Sequence, residues 1–211
     1  MTRAPSYAGV ILAAGESSRM GVEKALLPWP PVAAGQDSVR ETFVSAAIAT
    51  LSLEADFVVV VAGRNEAALA PVVYATGASL VVNPNPERGQ FSSLQIGLRE
   101  VLNRGRDAAI VTLVDRPPVS AATIQKLRDA FEAAERSIWA AVPEYGGKHG
   151  HPYIAGRDMI EALLLAPAAA TARDVEHKNQ QHVVYVAVED PLVAMNINTP
   201  EEYAALLAKS S

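Results

Sequence analysis

The chain has 211 residues, a formal net charge of −5 and no cysteine. That length suits one α/β domain with a substantial buried core, expected to span 1–211. The acidic balance gives no electrostatic footprint for nucleic acid, and the missing thiols exclude disulfides, cysteine nucleophiles and sulfur-ligated metals. Half the residues are apolar, yet no apolar window approaches the roughly 18 residues that read as a membrane span. The apolar run near the start is brief, broken by Gly9 and Gly15, and lacks a secretory cleavage pattern. A cytoplasmic protein with no membrane partner is expected.

In chain order, Val10 to Ala13 reads as a buried strand. It opens into a loop holding Gly15, Glu16, Ser17, Ser18, Arg19, Gly21 and Lys24. Glycine lets a ligand approach the main chain closely. Successive N–H groups in such a turn form an anion-binding concavity, and Arg19 and Lys24 add positive charge. The pattern fits a triphosphate cradle or an ordinary strand-to-helix turn with solvated basic residues. It is neither the dinucleotide fingerprint nor a P-loop, because the glycines are too far apart and no Gly-Lys-Ser/Thr occurs.

The proline-rich stretch from Pro28 to Gly35 is expected to form no regular structure. Ser38 to Leu51 reads as a helix opened by a capping box of Ser38 and Glu41. Asp56 to Ala62 is a β-branched run suited to a strand buried on both faces. Asn65 is expected to cap a helix through Tyr74, and Ala78 to Val82 to form a strand. Ser92 to Gln95 is a second capping-box pattern, opening a helix that ends near Gly105. Ala108 to Val114 is the clearest central strand and delivers Asp115 at its carboxyl end.

Further on, Ser120 to Ser137 reads as a helix, Ile138 to Val142 as a strand, and Tyr145 to Tyr153 as a loop. Arg157 to Leu165 reads as a helix, Arg173 to Gln181 as a polar segment, and Val183 to Val188 as a strand. Thr199-Pro200-Glu201-Glu202 is a capping box with proline at the first helical position. The alternation argues for a three-layer α/β fold: a mostly parallel sheet with helices on both faces. Ligands in such folds bind beyond the carboxyl ends of the strands. Asp115 there is either a turn cap before Pro117 and Pro118 or, beside a phosphate cradle, a ligand for Mg²⁺.

Leu12 to Lys24 matches the signature L-A-A-G-x-S-x-R-M-G-x-x-K at every defined position. The chain thereby resembles the MobA-like nucleotidyltransferases, the molybdenum cofactor guanylyl- and cytidylyltransferases. The resemblance implies their nucleotide-diphospho-sugar-transferase, Rossmann-like fold, in keeping with the alternation. The resemblance implies that Leu12, Ala13, Ala14, Gly15, Glu16, Ser17, Ser18 and Gly21 bind an NTP, with Arg19 and Lys24 catalytic. Val114-Asp115-Arg116-Pro117 resembles the family's G-D-Q-P, which implies that Asp115 binds the catalytic magnesium; arginine replaces glutamine here. Ser92 and Ser93 resemble the S-S-L helix start of the cytidylyl branch, which favours CTP over GTP. Gly150, His151 and Pro152 are similar to the G-H-P loop near the acceptor pterin. Met195 to Tyr203 resembles D-I-D-T-P-E-D-Y with asparagine at both metal positions, Asn196 and Asn198.

The implied activity is transfer of a nucleotidyl group, CMP first, to the phosphate of a molybdopterin-type acceptor, with a molybdoenzyme or cofactor-biosynthesis protein as partner. Two alternatives stand beside it. One is a sugar-1-phosphate nucleotidyltransferase; the other is a binding protein without turnover, which the two asparagines motivate.

Overall fold

The computed structural model describes residues 4–15, 21–31 and 41–207. Its strands are β1 (Tyr7–Leu12), β2 (Pro28–Trp29), β3 (Glu41–Thr42), β4 (Phe57–Ala62), β5 (Ser79–Val82), β6 (Ala108–Leu113), β7 (Ala140–Tyr145), β8 (Lys148–His149), β9 (Tyr153–Gly156) and β10 (Val183–Ala187). Its helices are α1 (Phe43–Ser52), α2 (Glu66–Ala75), α3 (Gln90–Asn103), α4 (Ala121–Ala133), α5 (Arg157–Leu165), α6 (Ala172–Lys178) and α7 (Pro200–Leu207).

The sheet runs β10-β7-β9-β6-β1-β4-β5, with β8 paired to β7. β1 lies parallel to β4 and β6, and β4 parallel to β5. Alternating side chains serve opposite layers. Tyr7 and Ile11 pack with Val44, Ile48, Leu69 and Ile124 from α1, α2 and α4. Ala8, Val10 and Leu12 pack with Leu94, Leu98 and Ile160 from α3 and α5. Burial on both faces explains why β1, β4 and β6 read as continuous apolar runs. α3 sits so close to the sheet that a Cβ on Gly97 would lie 2.6 Å from a Val10 methyl. That approach brings the start of α3 over the ends of β1 and β4.

The structure corrects several local readings. Pro28 and Trp29 do enter a two-rung ladder with β3. Ser38 lies outside the described residues; α1 begins at Phe43, and its capping box is Thr42 with Ser45. α3 begins at Gln90, so Ser92 is inside the first turn and its hydroxyl donates to the Gly89 carbonyl. Between Tyr145 and Tyr153 the chain is partly ordered as strand: Gly146 and Gly147, both at positive φ, turn β7 back into β8. β9, absent from the sequence reading, lies antiparallel between β6 and β7. The polar segment from Arg173 is helical, capped by a Thr171–Asp174 box. No helix among the described residues is long and apolar enough to cross a membrane.

A small third cluster fixes the end of the chain. Phe43, Ile197 and Leu206 are buried together, with Trp29 and Tyr203 against them. The Tyr203 hydroxyl donates to the Pro28 carbonyl at 2.8 Å, and Trp29 meets Phe43 edge-on at 5.0 Å. The described part of the proline-rich stretch therefore anchors α7. Glu202 closes the predicted box by accepting from the Asn198 and Thr199 N–H groups. This anchoring carries residues 193–198 across the strand ends.

Candidate active site

The register aligns Leu12 with Val61 and Leu113, and Ala62 with Val82. The segments that follow β1, β4, β5 and β6 therefore leave from one edge, where ligands bind in open α/β sheets. At this edge Ala13 donates to the Val61 carbonyl at 2.9 Å. Asn65 does not cap α2 through its side chain. Its amide instead donates to the Ala13 carbonyl at 2.8 Å, while its oxygen accepts from Gly63 N–H. Gly63 packs on the same loop: a Cβ there would come 2.8 Å from the Ala14 carbonyl oxygen. Gly21 has φ +67, in the region expected of a loop glycine. Glu16, Ser17, Ser18 and Arg19 lie outside the described residues.

Asn65→Ala is expected to release the start of the loop without emptying the core. The folded chain should lose about 1 kcal/mol and bind nucleotide several-fold more weakly. A chemical-denaturation curve and a nucleotide titration check this; unchanged nucleotide affinity would detach Asn65 from the site.

Lys24, Asp115 and the 193–198 segment meet. Lys24 Nζ donates to Asn198 Oδ1 at 3.0 Å, and the Ile197 N–H donates to the Asp115 carbonyl at 2.8 Å. Ile197 is buried, whereas Asn196 is exposed and Asn198 partly so. The two asparagines thus flank Asp115 along one extended stretch. Asp115 Oδ1 is buried with no hydrogen-bond partner among the described residues. A carboxylate oxygen left in that state is a fitting ligand for a hard cation, which takes one or two carboxylates and completes its shell with phosphate and water. Asn196 is the further candidate ligand on the cleft side, since the Asn198 oxygen is engaged by Lys24.

Beyond this point a cleft of about 1020 Å³ opens, its floor formed by residues such as Leu12, Leu94, Leu113 and Leu163. Among the described residues, Arg88, Arg116, Lys148 and Arg173 line it against one carboxylate, Glu176. A cationic cleft in an acidic protein suits an anionic ligand. Gly150 and His151 line it too, at the turn after β8. The His151 N–H donates to the Val193 carbonyl at 2.9 Å. Burial first, then the neighbouring Arg116 charge, pushes the His151 imidazole down to about 3.

A histidine held neutral in the fold and protonated in the unfolded chain below about 6.5 destabilises the fold as pH falls. Stability from His151 is therefore full above about pH 6.5 and drains between there and about pH 3. His151→Gln is expected to flatten the acid limb of unfolding free energy against pH by up to about 1.4 kcal/mol per unit. Superimposable slopes would show that His151 does not set that limb.

Ser92 and Ser93 divide. Ser93 is 3% exposed, and Asn83 donates from its side-chain nitrogen to both serine hydroxyls at 2.9 Å. The Ser93 hydroxyl is thus turned into the fold, and Ser92 is the less buried of the two. Arg116, met in the sequence only as a departure, reaches the Met195 carbonyl at 3.2 Å and lines the cleft. Gly63 and Asn65 were missed as loop supports because Asn-Glu before an apolar run reads as a helix cap.

The MobA-like NTP transferase domain matches residues 9–183. A molybdenum cofactor guanylyltransferase of Xanthomonas euvesicatoria is 29% identical over 98% of this chain and 97% of its own length. The molybdenum cofactor cytidylyltransferase of Escherichia coli is 23% identical over 92% of each chain. Among solved structures, Rv0371c of Mycobacterium tuberculosis superposes with a TM-score of 0.79 at 27% identity, covering 98% of this chain and 100% of that one. With the strand-edge loop and Asp115 in the matched span, the chain belongs to the family of MobA-like NTP transferase domains.

Proposed function

We propose that the chain, as one domain, transfers a nucleotidyl group from a magnesium-bound nucleoside triphosphate to the phosphate of a molybdopterin-type acceptor. The observation that carries this reading is the meeting of Lys24, Asp115 and residues 196–198 beside a cationic cleft that Arg116 and Asn196 line. The Xanthomonas and Escherichia relatives supply the acceptor class by their names. A cytoplasmic setting and a cofactor-biosynthesis or molybdoenzyme partner go with it.

In the reaction an acceptor phosphate oxygen attacks the α-phosphorus of the triphosphate. A new P–O bond forms, the bond to the β-phosphate oxygen breaks, and pyrophosphate departs with that electron pair. The attacking oxygen is already anionic near neutral pH, so no general base is required. In-line placement and charge stabilisation supply the rate. Main-chain N–H groups from Ala14 to Ser18 would hold the triphosphate, with Arg19 and Lys24 balancing charge on the α-phosphoryl group and leaving pyrophosphate. Asp115, with Asn196 and less readily Asn198, would hold Mg²⁺, which supplies Lewis-acid polarisation of the phosphates when bound. The Mycobacterium tuberculosis protein has been crystallised with manganese, which supports a divalent cation in this fold.

The donor base rests on less. The Ser92-Ser93-Leu94 start of α3 favours CTP, and of the two serines, both of which accept from Asn83, Ser92 is the less buried and carries that preference. Against it, most of the similar relatives are named molybdenum cofactor guanylyltransferases, and the cytidylyltransferase is less similar than they are. Thermal unfolding with each NTP and Mg²⁺ tests the reading, since a ligand binding only the folded state must raise Tm. CTP should give the largest rise; a rise with GTP alone would replace the donor, and none with any NTP would remove the function.

A further inference from the structure

Three buried polar atoms around one turn of chain have no hydrogen-bond partner among the described residues: Asp115 Oδ1, Arg116 Nε and His151 Nδ1. They are neighbours. Arg116 Nη1 and the His151 N–H both donate to the Val193 carbonyl, at 3.5 and 2.9 Å, and the Asp115 carbonyl accepts from Ile197. The same condition at Arg106 and Arg128 has an evident explanation. Those guanidinium groups are ion-paired with Asp56 and with Glu54 and Glu132. A buried donor left unspent is costly, so a fold that keeps one has a use for it.

Asp115 is accounted for by the cation position. Arg116 and His151 both line the cleft. We propose that Arg116, with His151 beside it, is the receptor for the acceptor's phosphate and selects a phosphate monoester over an uncharged acceptor. The acceptor's role in transfer rests on the nucleotidyltransferase reading; the anion site itself does not.

The guanidinium is already held. Its Nη1 is tied to the carbonyls of Val193 and Met195, which fixes the plane of the fork, while the Nε–H edge keeps its donor. A planar fork of this kind meets phosphate oxygens with two parallel hydrogen bonds, which a point charge cannot reproduce. His151, held uncharged by burial and by Arg116, adds a ring nitrogen whose donor or acceptor role follows its tautomer. Arg116 and Asn196 line the cleft and share the turn at 193–197. Lys24 bonds to Asn198, further along the same stretch.

The test uses phenyl phosphate, with phenol as its uncharged counterpart, titrated calorimetrically into the full chain without nucleotide. Wild type is expected to bind phenyl phosphate and not phenol. Arg116→Gln should weaken phenyl phosphate about 10- to 100-fold, and Arg116→Lys should fall between, since it keeps charge but loses the fork. Equal affinity of wild type and Arg116→Gln for phenyl phosphate would overturn the proposal, as would phenol binding as tightly as the phosphate. So would a loss confined to nucleotide protection, which would make Arg116 a residue of the donor site rather than of the acceptor site. Mg²⁺–CTP and Mg²⁺–GTP are run in parallel by thermal shift. If neither protects the wild type, the nucleotidyltransferase reading fails while the phosphate result still stands or falls by itself. Should Arg116→Gln fail to fold, phenylglyoxal modification of the wild type decides instead: phenyl phosphate should shield the Arg116 peptide, and an unshielded Arg116 overturns the proposal.

Discussion

Replacement of Asp115 by alanine is expected to lower nucleotidyl transfer on the order of 10²–10³-fold while moving Tm by no more than about 2 °C. The two halves of this expectation have one structural cause. The main-chain carbonyl of Asp115 receives the Ile197 N–H, and alanine keeps that bond. The side chain, in contrast, has a buried oxygen with no hydrogen-bond partner among the described residues, so its removal takes no hydrogen bond from that oxygen. A residue that costs the fold nothing to lose and the reaction much has its partner in the ligand. The decisive readout is nucleotide affinity with and without Mg²⁺. Wild type should show a metal-dependent gain, and Asp115→Ala should lose it. Wild-type turnover, or an unchanged metal-dependent gain, would remove Asp115 from the metal site.

The parts of the fold legible from sequence were those set by local pattern. β1, β4 and β6 announce themselves because burial on both faces demands unbroken apolar runs. α5 is legible in its own spacing, and the Thr199–Glu202 box before α7 from its residue types. β9 was not, because Tyr153-Ile154-Ala155-Gly156 is short and its strand character comes from antiparallel pairing to both β6 and β7. The caps failed where two chemistries share one pattern. Asn65 looks like an N-cap, but its amide has a better use on the Ala13 carbonyl 52 residues away. Ser92 and Ser93 look like a helix start, but Gly89 already ends the preceding turn and the serines face Asn83.

The candidate site divides in the same way. The loop from Leu12, Lys24 and Asp115 was visible as residue types at fixed spacing. Their meeting with Asn198 was visible only as a resemblance, because 174 residues separate Lys24 from its partner. The role of Arg116 was not visible at all. Nothing in the sequence says that the carbonyls of Val193 and Met195 will lie under its guanidinium.

Gly150→Ala tests whether that long-range meeting governs function. A Cβ on Gly150 would run into the Val193 carbonyl, and main chain meeting main chain cannot be relieved by a rotamer change. The same carbonyl receives the His151 N–H and Arg116 Nη1, so the alanine pushes on the point from which residues 193–198 are hung. Overpacking of this kind costs about 1–3 kcal/mol, at about 2–4 °C of Tm per kcal/mol in a chain of this size. The larger effect is expected in turnover. Residues 196–198 carry Asn196, the Ile197 bond to Asp115 and the Asn198 bond to Lys24, and a displacement of about 1 Å can cost on the order of 10² in rate. The first loop is held instead by Val61, Gly63 and Asn65, whose hydrogen bonds among the described residues do not include Val193. Nucleotide protection should therefore survive in Gly150→Ala while transfer to the acceptor collapses. Equal losses in both would mean that the segment positions the donor as well, and full activity would show that the turn at Val193 yields without consequence.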